Sequence, residues 1–168
     1  MKKIGSVIDA MINYYAGDVP RINHFLKVYG FTKAIGEMEG IGDTTQEILE
    51  AAALTHDIGI KNSEQKYNSA SGYYQQLEGP QEAKELLEKL EFGSGLIDRV
   101  CWLIAHHHTY DDIKDIDYQI LVEADFLVNA YEEDLSEAAV QKIRTRLFKT
   151  PAGISFLDRM YLNRTKRE

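Results

Sequence analysis

Apolar residues recur at helical spacing along almost the whole chain. Near its start, Ile4, Ile8 and Met11 lie three or four positions apart, which places them on one face of a helix. No segment shows the sustained apolar–polar alternation of a β-strand, and only 3 of the 168 residues are proline. The pattern therefore predicts an all-α fold, a single-domain helical bundle that spans residues 1–168.

Capping and turn residues divide this pattern into segments. Asp18 followed by Pro20 indicates a capped helix start, and Gly40 with Gly42 indicates a break. The run from Thr44 to Glu47 fits a capping box. Helices are predicted at about 3–15, 20–38, 48–54, 80–90, 96–108, 118–131, 137–148 and from 151 onward, with 60–77 predicted to be a loop that contains at most one short helix.

The balance of charge limits the class of partner. The formal net charge is −8, whereas binding to nucleic-acid phosphates needs clustered lysine and arginine. The one basic stretch lies between Lys142 and Arg167, where a solvated helix face explains it. No nucleic-acid polymer is therefore expected as a partner, although a few converging cations could still hold a small anion.

The sequence predicts neither a secreted protein nor a membrane protein. Asp9 and Asn13 interrupt the apolar N-terminal segment, unlike a signal peptide, and no run of about 18 apolar residues occurs. The single cysteine, Cys101, excludes an intrachain disulfide. We expect a cytoplasmic protein with no membrane partner. An apolar helix face could pair two chains in a homodimer, which the sequence leaves open.

The chemically informative residues are histidines and acids placed on apolar helices. His56 and Asp57 stand where the apolar helix 48–54 ends, and an aspartate in such surroundings is unfavourable unless it is paired or bound to a metal. An imidazole and a carboxylate together suit a divalent ion. Taken alone, the pair is also typical of a helix C-terminus with a capping histidine and a solvated carboxylate.

Two other helices also carry polar residues on apolar faces. His24 shares a stripe with Val28, where a hydrogen-bonded core histidine is the alternative to a metal ligand. Asp125 lies on the same predicted helix face as Val128, and the helical neighbours of Glu123 are also apolar. Each acid needs a compensating partner, and either a metal or a buried salt bridge would serve.

Three consecutive histidines end another strongly apolar helix. By helical phase His107 continues the stripe of Leu103 and His108 that of Ile104, whereas His106 lies nearer the flank. We expect His107 to face the interior and leave the position of His108 open. The alternative is a surface histidine cluster that the helix dipole favours.

Together these residues resemble the signature of the HD superfamily of metal-dependent phosphohydrolases. The signature is a histidine, a His-Asp pair and a distant aspartate, and His24, His56-Asp57 and Asp125 match it in order. The resemblance covers roughly residues 18–132, with the C-terminal helices 133–168 beyond it. It implies an HD-type helical bundle in which these four ligands converge on one divalent metal, and hydrolysis of a phosphate ester, often a nucleotide.

The chain departs from the commonest form of this pattern in two places. Many members have lysine three residues after the aspartate, where this chain has Ile60 followed by Lys61. A further histidine of two-metal members would fall near Gln75, and its absence favours one metal. Mixed imidazole and carboxylate ligands suit Mn, Fe, Co or Ni, with Zn also acceptable, better than Mg.

The reaction that the resemblance implies gives the polar residues roles. Asp57 would bind the metal and orient the attacking water, and His107 or His108 would transfer a proton or hold the phosphate. Tyrosines of the segment 60–77 could stack on a base or belong to the core. The residues predicted to bind the small phosphorylated substrate are Arg21, Lys61, Lys66 and His106.

Three rival functions fit parts of the pattern. The same pocket could bind a metal and a nucleotide without turnover, as a signalling module. Some helical HD proteins resemble a two-iron oxygenase, which would need two metals and more ligands. A purely structural bundle would bind no metal, and it would have to explain why histidine and aspartate lie together on apolar faces.

Overall fold

Nine α-helices and a π-helical turn make up residues 3–163, the part of the chain that the computed structural model describes, and no strand occurs there. The predicted all-α class is confirmed. No helix in this range is long and apolar enough to cross a membrane. The helices are α1 (Lys3–Tyr14), α2 (Val19–Glu39), α3 (Asp43–Thr55), α4 (Ile60–Tyr67), α5 (Gly72–Lys89), α6 (Ser94–His106), α7 (Ile116–Glu132), α8 (Glu137–Leu147) and α9 (Pro151–Leu157), followed by the π-helical turn Asp158–Leu162.

The long helix α2 begins and ends where the sequence predicts. The side chain of Asp18 accepts a hydrogen bond from the backbone N–H of Arg21, and Pro20 occupies the first turn, where its missing N–H leaves no bond unmade. The helix ends before Gly40, whose φ of 67° is left-handed. Because α2 packs against both α3 and α7, His24 lies between the two helices that carry the other predicted ligands.

The helices α3 and α7 form the centre of the bundle. Every residue from Leu49 to His56 is buried, and so is every residue from Asp117 to Asp125. Each fully buried leucine or isoleucine contributes roughly 1.5 to 3 kcal/mol to folding. Polar side chains in these segments cannot reach bulk water and must find their partners inside the protein.

The segment 60–77 differs from the prediction. It contains the one short helix that the sequence allowed, α4, but α5 already begins at Gly72, so that Pro80 lies inside α5 instead of at its start. The buried stripe of α5 begins with residues that are not aliphatic, and a search for apolar periodicity therefore overlooks it. The members of that stripe are Gln75, Gly79, Ala83 and Leu87.

The start of α3 also differs from the prediction of a capping box. Gly42 is the N-cap in an extended conformation and makes no side-chain bond, and Thr44 already lies within the helix. The amide nitrogen of Gln46 donates to a carboxylate oxygen of Glu50 at 2.9 Å. An acidic residue in the first turn, Asp43, interacts favourably with the helix dipole in place of the box.

Two glycines bring the turn after α3 into close contact with α5. A Cβ atom built on Gly59 would lie 2.6 Å from the backbone nitrogen of Gly79 and 2.6 Å from the carbonyl oxygen of Gln75. No side chain fits between backbones at that separation. The close approach holds the His56-Asp57 turn against α5.

The C-terminal segment docks onto α7 through the buried carboxylate of Glu123. This group accepts hydrogen bonds from the backbone N–H of Lys149 at 2.7 Å and of Thr150 at 2.9 Å, and from the side-chain amide of Gln119 at 2.6 Å. The hydroxyl of Thr150 donates to its second oxygen. The negative charge of Glu123 is thus compensated by neutral hydrogen-bond donors, from the start of α9 and from Gln119. The sequence had predicted a metal or a buried salt bridge instead.

Candidate metal centre

Three helices bring two imidazoles and two carboxylates together. The Nε2 atom of His24, from α2, lies 3.3 Å from Nε2 of His56 and 3.3 Å from Oδ2 of Asp57, both at the end of α3. It also lies 3.3 Å from Oδ1 of Asp125 on α7. Ligands about 2.1 Å from a common ion are separated from one another by roughly 3.0 to 3.5 Å. Nε2 of His24 therefore has ligand spacing to each of the other three side chains. His24, His56 and Asp57 form a group that could hold a metal ion, and Asp125 joins it through its contacts with the two histidines.

Hydrogen bonds on the outer side of the imidazoles determine which nitrogen faces the centre. Nδ1 of His24 lies 2.7 Å from a carboxylate oxygen of Glu132, and Nδ1 of His56 lies 2.8 Å from the carbonyl oxygen of Ala53. Because both partners are acceptors, each Nδ1 carries a proton and donates it. The Nε2 atoms then direct their lone pairs inward, as metal-bound imidazoles do.

One carboxylate oxygen that faces the centre lacks a hydrogen-bond donor of its own. Oδ1 of Asp125 is buried and has no hydrogen-bond partner among residues 3–163, although it lies 3.6 Å from Nε2 of His56. Two imidazole lone pairs and two carboxylates this close repel one another unless a cation or protons lie between them. This set of nitrogen and oxygen donors fits a divalent ion of intermediate softness.

The electrostatics of the cluster favour positive charge at its centre. Burial lowers the pKa of His56, but the carboxylates of Asp57 and Asp125 outweigh burial and raise that pKa well above its usual value. Burial raises the pKa of Asp125, but the adjacent imidazoles of His24 and His56 outweigh burial and bring that pKa below its usual range. A centre that stabilises protons on its imidazoles in this way also attracts a metal cation.

Two of the three histidines at the end of α6 reach this region. Nε2 of His107 lies 3.5 Å from Oδ1 of Asp57, and its Nδ1 donates to the carbonyl of Ile104 at 2.8 Å. Ligand atoms of Asp57, His107 and His108 lie within 4.8 Å of one another. However, Nε2 of His108 is bonded to Oε1 of Gln75 at 2.8 Å. Burial and the neighbouring His107 lower the pKa of His108 to about 4, so its ring is neutral at pH 7.

Comparison with known protein families agrees with this geometry. The model of the HD domain family matches residues 21–146, which is more than half of the chain and includes all four side chains of the cluster. The chain belongs to the HD domain family. Members of this family are mostly metal-dependent hydrolases, and HD domains bind divalent metals. No curated protein and no solved structure gives a significant match.

Among the predicted substrate-binding residues of this HD domain, Arg21 lies beside the cluster. Together with Tyr15, His24 and Asp57 it lines a cavity of about 30 Å³. Its guanidinium is paired with Glu64 on α4 at 2.5 Å. Arg21 is therefore a cation that lies beside two of the candidate metal ligands, His24 and Asp57.

The structure gives the other three predicted substrate-binding residues different partners. Nζ of Lys61 donates to the carbonyl of Tyr14 at 3.2 Å, and Lys66 forms an ion pair with Glu78 at 2.6 Å. The ring of His106 is stacked on Trp102, with 4.1 Å between the ring centroids. None of the three lines the cavity or belongs to the clustered ligand atoms, and their part in binding a substrate stays a prediction.

The sequence analysis missed Glu132, the last residue of α7, which contacts the candidate ligand His24. It follows Asp125 by seven positions, two helical turns, and the two side chains therefore lie on the same face of α7. The seven-residue spacing from Asp125 was the one feature of the sequence that could have pointed to Glu132. An acid at the polar end of a helix carries no indication of burial, and only the packing of α2 against α7 reveals its partner.

Proposed function

We propose that this HD domain is a metal-dependent phosphohydrolase that acts on a small phosphate ester, a nucleotide or a related phosphorylated molecule. The observation that carries the proposal is the convergence of two imidazole Nε2 atoms and two carboxylates on one point. Family membership supports metal-dependent hydrolysis. The choice of a phosphate ester comes from the resemblance of the sequence motif.

His24, His56, Asp57 and Asp125 would hold one divalent ion, with Mn, Fe, Co or Ni favoured and Zn also compatible. Such an ion supplies an activated water at neutral pH and polarises the phosphoryl oxygen. Three of the ligands, His24, His56 and Asp125, are buried, which keeps bulk water from competing for their lone pairs, whereas Asp57 is partly exposed.

The two oxygens of Asp57 face different partners. Oδ2 lies near the Nε2 atoms of His24 and His56, whereas Oδ1 lies 3.5 Å from Nε2 of His107. One oxygen can therefore serve as a ligand while the other orients a water and accepts its proton. His107 has a buried Nε2 without a hydrogen-bond partner in the described part of the chain, which suits it to hold that water or a phosphate oxygen.

Arg21 would bind the phosphate group. Its guanidinium can present two parallel N–H donors to phosphate oxygens, a geometry that lysine lacks. The pairing with Glu64 does not prevent this, because the Glu64 side chain is 44% exposed and an exposed ion pair exchanges partners at little cost. We infer that the substrate phosphate replaces Glu64 at Arg21.

The contact between Gln75 and His108 favours one metal over two. The amide oxygen of Gln75 accepts the Nε2 proton of His108, and so that nitrogen has no lone pair to offer a second ion. This observation supports hydrolysis over the two-iron oxygenase alternative.

The proposal is tested by assaying metal-stripped protein on a panel of nucleotides and other phosphoesters, with Mn, Co or Ni added back. We expect phosphate release that requires metal and falls at least about a hundredfold in Asp57→Asn. Asp98→Asn, which changes an exposed aspartate of α6, is the matched control and should keep full activity. Tight binding of a nucleotide with no release under any metal would favour the signalling module and overturn the proposal.

A further inference from the structure

His24 differs from the other two inward-facing histidines in how its ring is held. The Nδ1 atoms of His56 and His107 donate to backbone carbonyls three residues earlier, which the ends of α3 and α6 leave free. His24 lies within α2, where backbone carbonyls are already bonded along the helix. Its Nδ1 instead donates to the carboxylate of Glu132 at 2.7 Å, so its orientation depends on a side chain.

Glu132 is itself held from two sides. Its Oε2 accepts from His24, and its Oε1 accepts from Nζ of Lys27 at 2.5 Å. Lys27 follows His24 by three positions on α2, so the two side chains are neighbours on the helix surface. Side chains of α2 thus bind both oxygens of the Glu132 carboxylate, while the Glu132 backbone belongs to α7. This arrangement leaves the carboxylate little freedom to rotate.

The helix α7 therefore contributes twice to the cluster. Asp125 reaches the centre directly, and Glu132, two turns later on the same face, reaches it through His24. Any shift of α7 along α2 would displace both contacts together. The arrangement links the position of one carboxylate ligand to the orientation of one imidazole ligand.

We propose that Glu132 is a positioning residue that holds His24 with its Nδ1 protonated and its Nε2 directed at the metal, and that Lys27 restrains Glu132. The proposal rests on the metal centre of the proposed function and adds a residue outside the ligand set. A carboxylate behind a metal-bound imidazole fixes the ring and raises the basicity of the ligating nitrogen, and its loss typically weakens metal affinity by about 10- to 100-fold. A role confined to joining α2 and α7 is the structural alternative.

Four variants separate these two roles, and one of them, Lys27→Met, removes the restraint on Glu132. Glu132→Leu removes the acceptor, Glu132→Gln keeps an oxygen that can accept from Nδ1, and Glu133→Leu changes the neighbouring exposed acid as a matched control. The dissociation constant for Zn is measured by competition with a chelator, and that for Co by the same method. The Nδ1–H signal of His24 is followed by NMR of the zinc-loaded full-length protein, with circular dichroism to confirm the fold.

We expect Glu132→Leu to bind both metals about 10- to 100-fold more weakly and to lose the slowly exchanging Nδ1–H signal. Glu132→Gln should retain that signal and recover much of the affinity, and Glu133→Leu should match the wild type. Lys27→Met should weaken affinity less than Glu132→Leu. If Glu132→Leu does not fold, the comparison of Glu132→Gln and Lys27→Met with the wild type still decides, since a positioning role requires both to lose some affinity.

Unchanged metal affinity in Glu132→Leu, or an equal loss in Glu133→Leu, would overturn the inference. Either result would leave the proposed function standing if the wild type still hydrolysed a phosphate ester. The opposite outcome is that metal affinity depends on Glu132 as expected but the wild type hydrolyses no phosphate ester. That result would overturn the proposed function and leave the inference intact.

Discussion

Nε2 of His24 and Oδ1 of Asp125 lie 3.3 Å apart, although α2 and α7 are separated by most of the chain. Both side chains are nearly buried, at 9% and 6% exposure of their residues. Neither could remain there without a partner, because burying an isolated imidazole or carboxylate costs several kcal/mol, roughly 2 to 7 even for a neutral polar group. The contact exists because α2 packs along α7, and under the proposed function folding and metal binding would depend on the same side chains.

The pKa shifts in the cluster predict how the stability of the metal-free protein depends on pH. The contribution of His56, whose pKa is raised, is complete below its ordinary value of 6.5 and is lost as pH rises through the raised pKa. The contributions of Asp57 and Asp125, whose pKa values are lowered, are complete above the ordinary value of 3.8 and are lost as pH falls. We expect the free energy of unfolding in urea to be highest near the upper of these two values, because the lowered pKa of His108 adds a contribution that is complete above 6.5 and is lost as pH falls toward about 4.

A maximum of that free energy well above neutral pH would contradict the raised pKa of His56. The same shifts predict that metal binding releases protons, since a ligating imidazole must be neutral. Calorimetric titration with metal in two buffers of different ionisation enthalpy should give different heats, and the affinity should rise with pH. Heats that do not depend on the buffer would show that the imidazoles are already neutral.

Removing the Glu123 carboxylate should destabilise the protein while sparing the metal centre. Glu123→Ala leaves the backbone N–H groups of Lys149 and Thr150 without their acceptor, at a cost of about 3 kcal/mol or more in the free energy of unfolding. Urea denaturation measures the loss, with Glu137→Ala as the exposed control. A loss below about 1 kcal/mol would mean that α9 does not depend on this carboxylate.

Changing Arg21 should impair substrate binding and leave metal binding unchanged. In Arg21→Gln we expect KM for the best phosphate ester to rise about 10- to 100-fold, because one or two charge-assisted hydrogen bonds to the phosphate are lost. The variant should bind as much metal as the wild type. Glu64→Gln, which removes one of the two carboxylates paired with the guanidinium and leaves Asp18, should lower KM. Lys66→Gln is the control, because Lys66 is paired with Glu78. A larger rise in KM for Lys66→Gln than for Arg21→Gln would place the phosphate elsewhere.

The helices and the residues of the cluster could be expected from the sequence because each of those residues is polar on an apolar helix face. The sequence does not show which partner each one has. Asp125 and Glu123 have the same apolar surroundings and lie two positions apart, yet they face opposite sides of α7. Asp125 reaches the histidines, whereas Glu123 reaches the start of α9.

The sequence was least informative where a buried face is not apolar. Gln75 and Gly79 belong to the buried stripe of α5, one because it binds His108 and the other because it packs against Gly59. Hydrophobic periodicity detects neither kind of burial. Glu132 was missed for a related reason, since its contact with His24 depends on the packing of two helices whose relative position the sequence does not report.

The number of divalent ions bound per chain tests the metal centre most directly. Metal-stripped protein is equilibrated with Mn, Co, Ni or Zn, dialysed and measured by elemental analysis, together with His56→Ala and Asp125→Asn variants shown to be folded by circular dichroism. We predict about one ion per chain for the wild type and a loss of most of it in both variants. A wild type that retains no ion, or an Asp125→Asn variant that retains a full one, would contradict the metal centre.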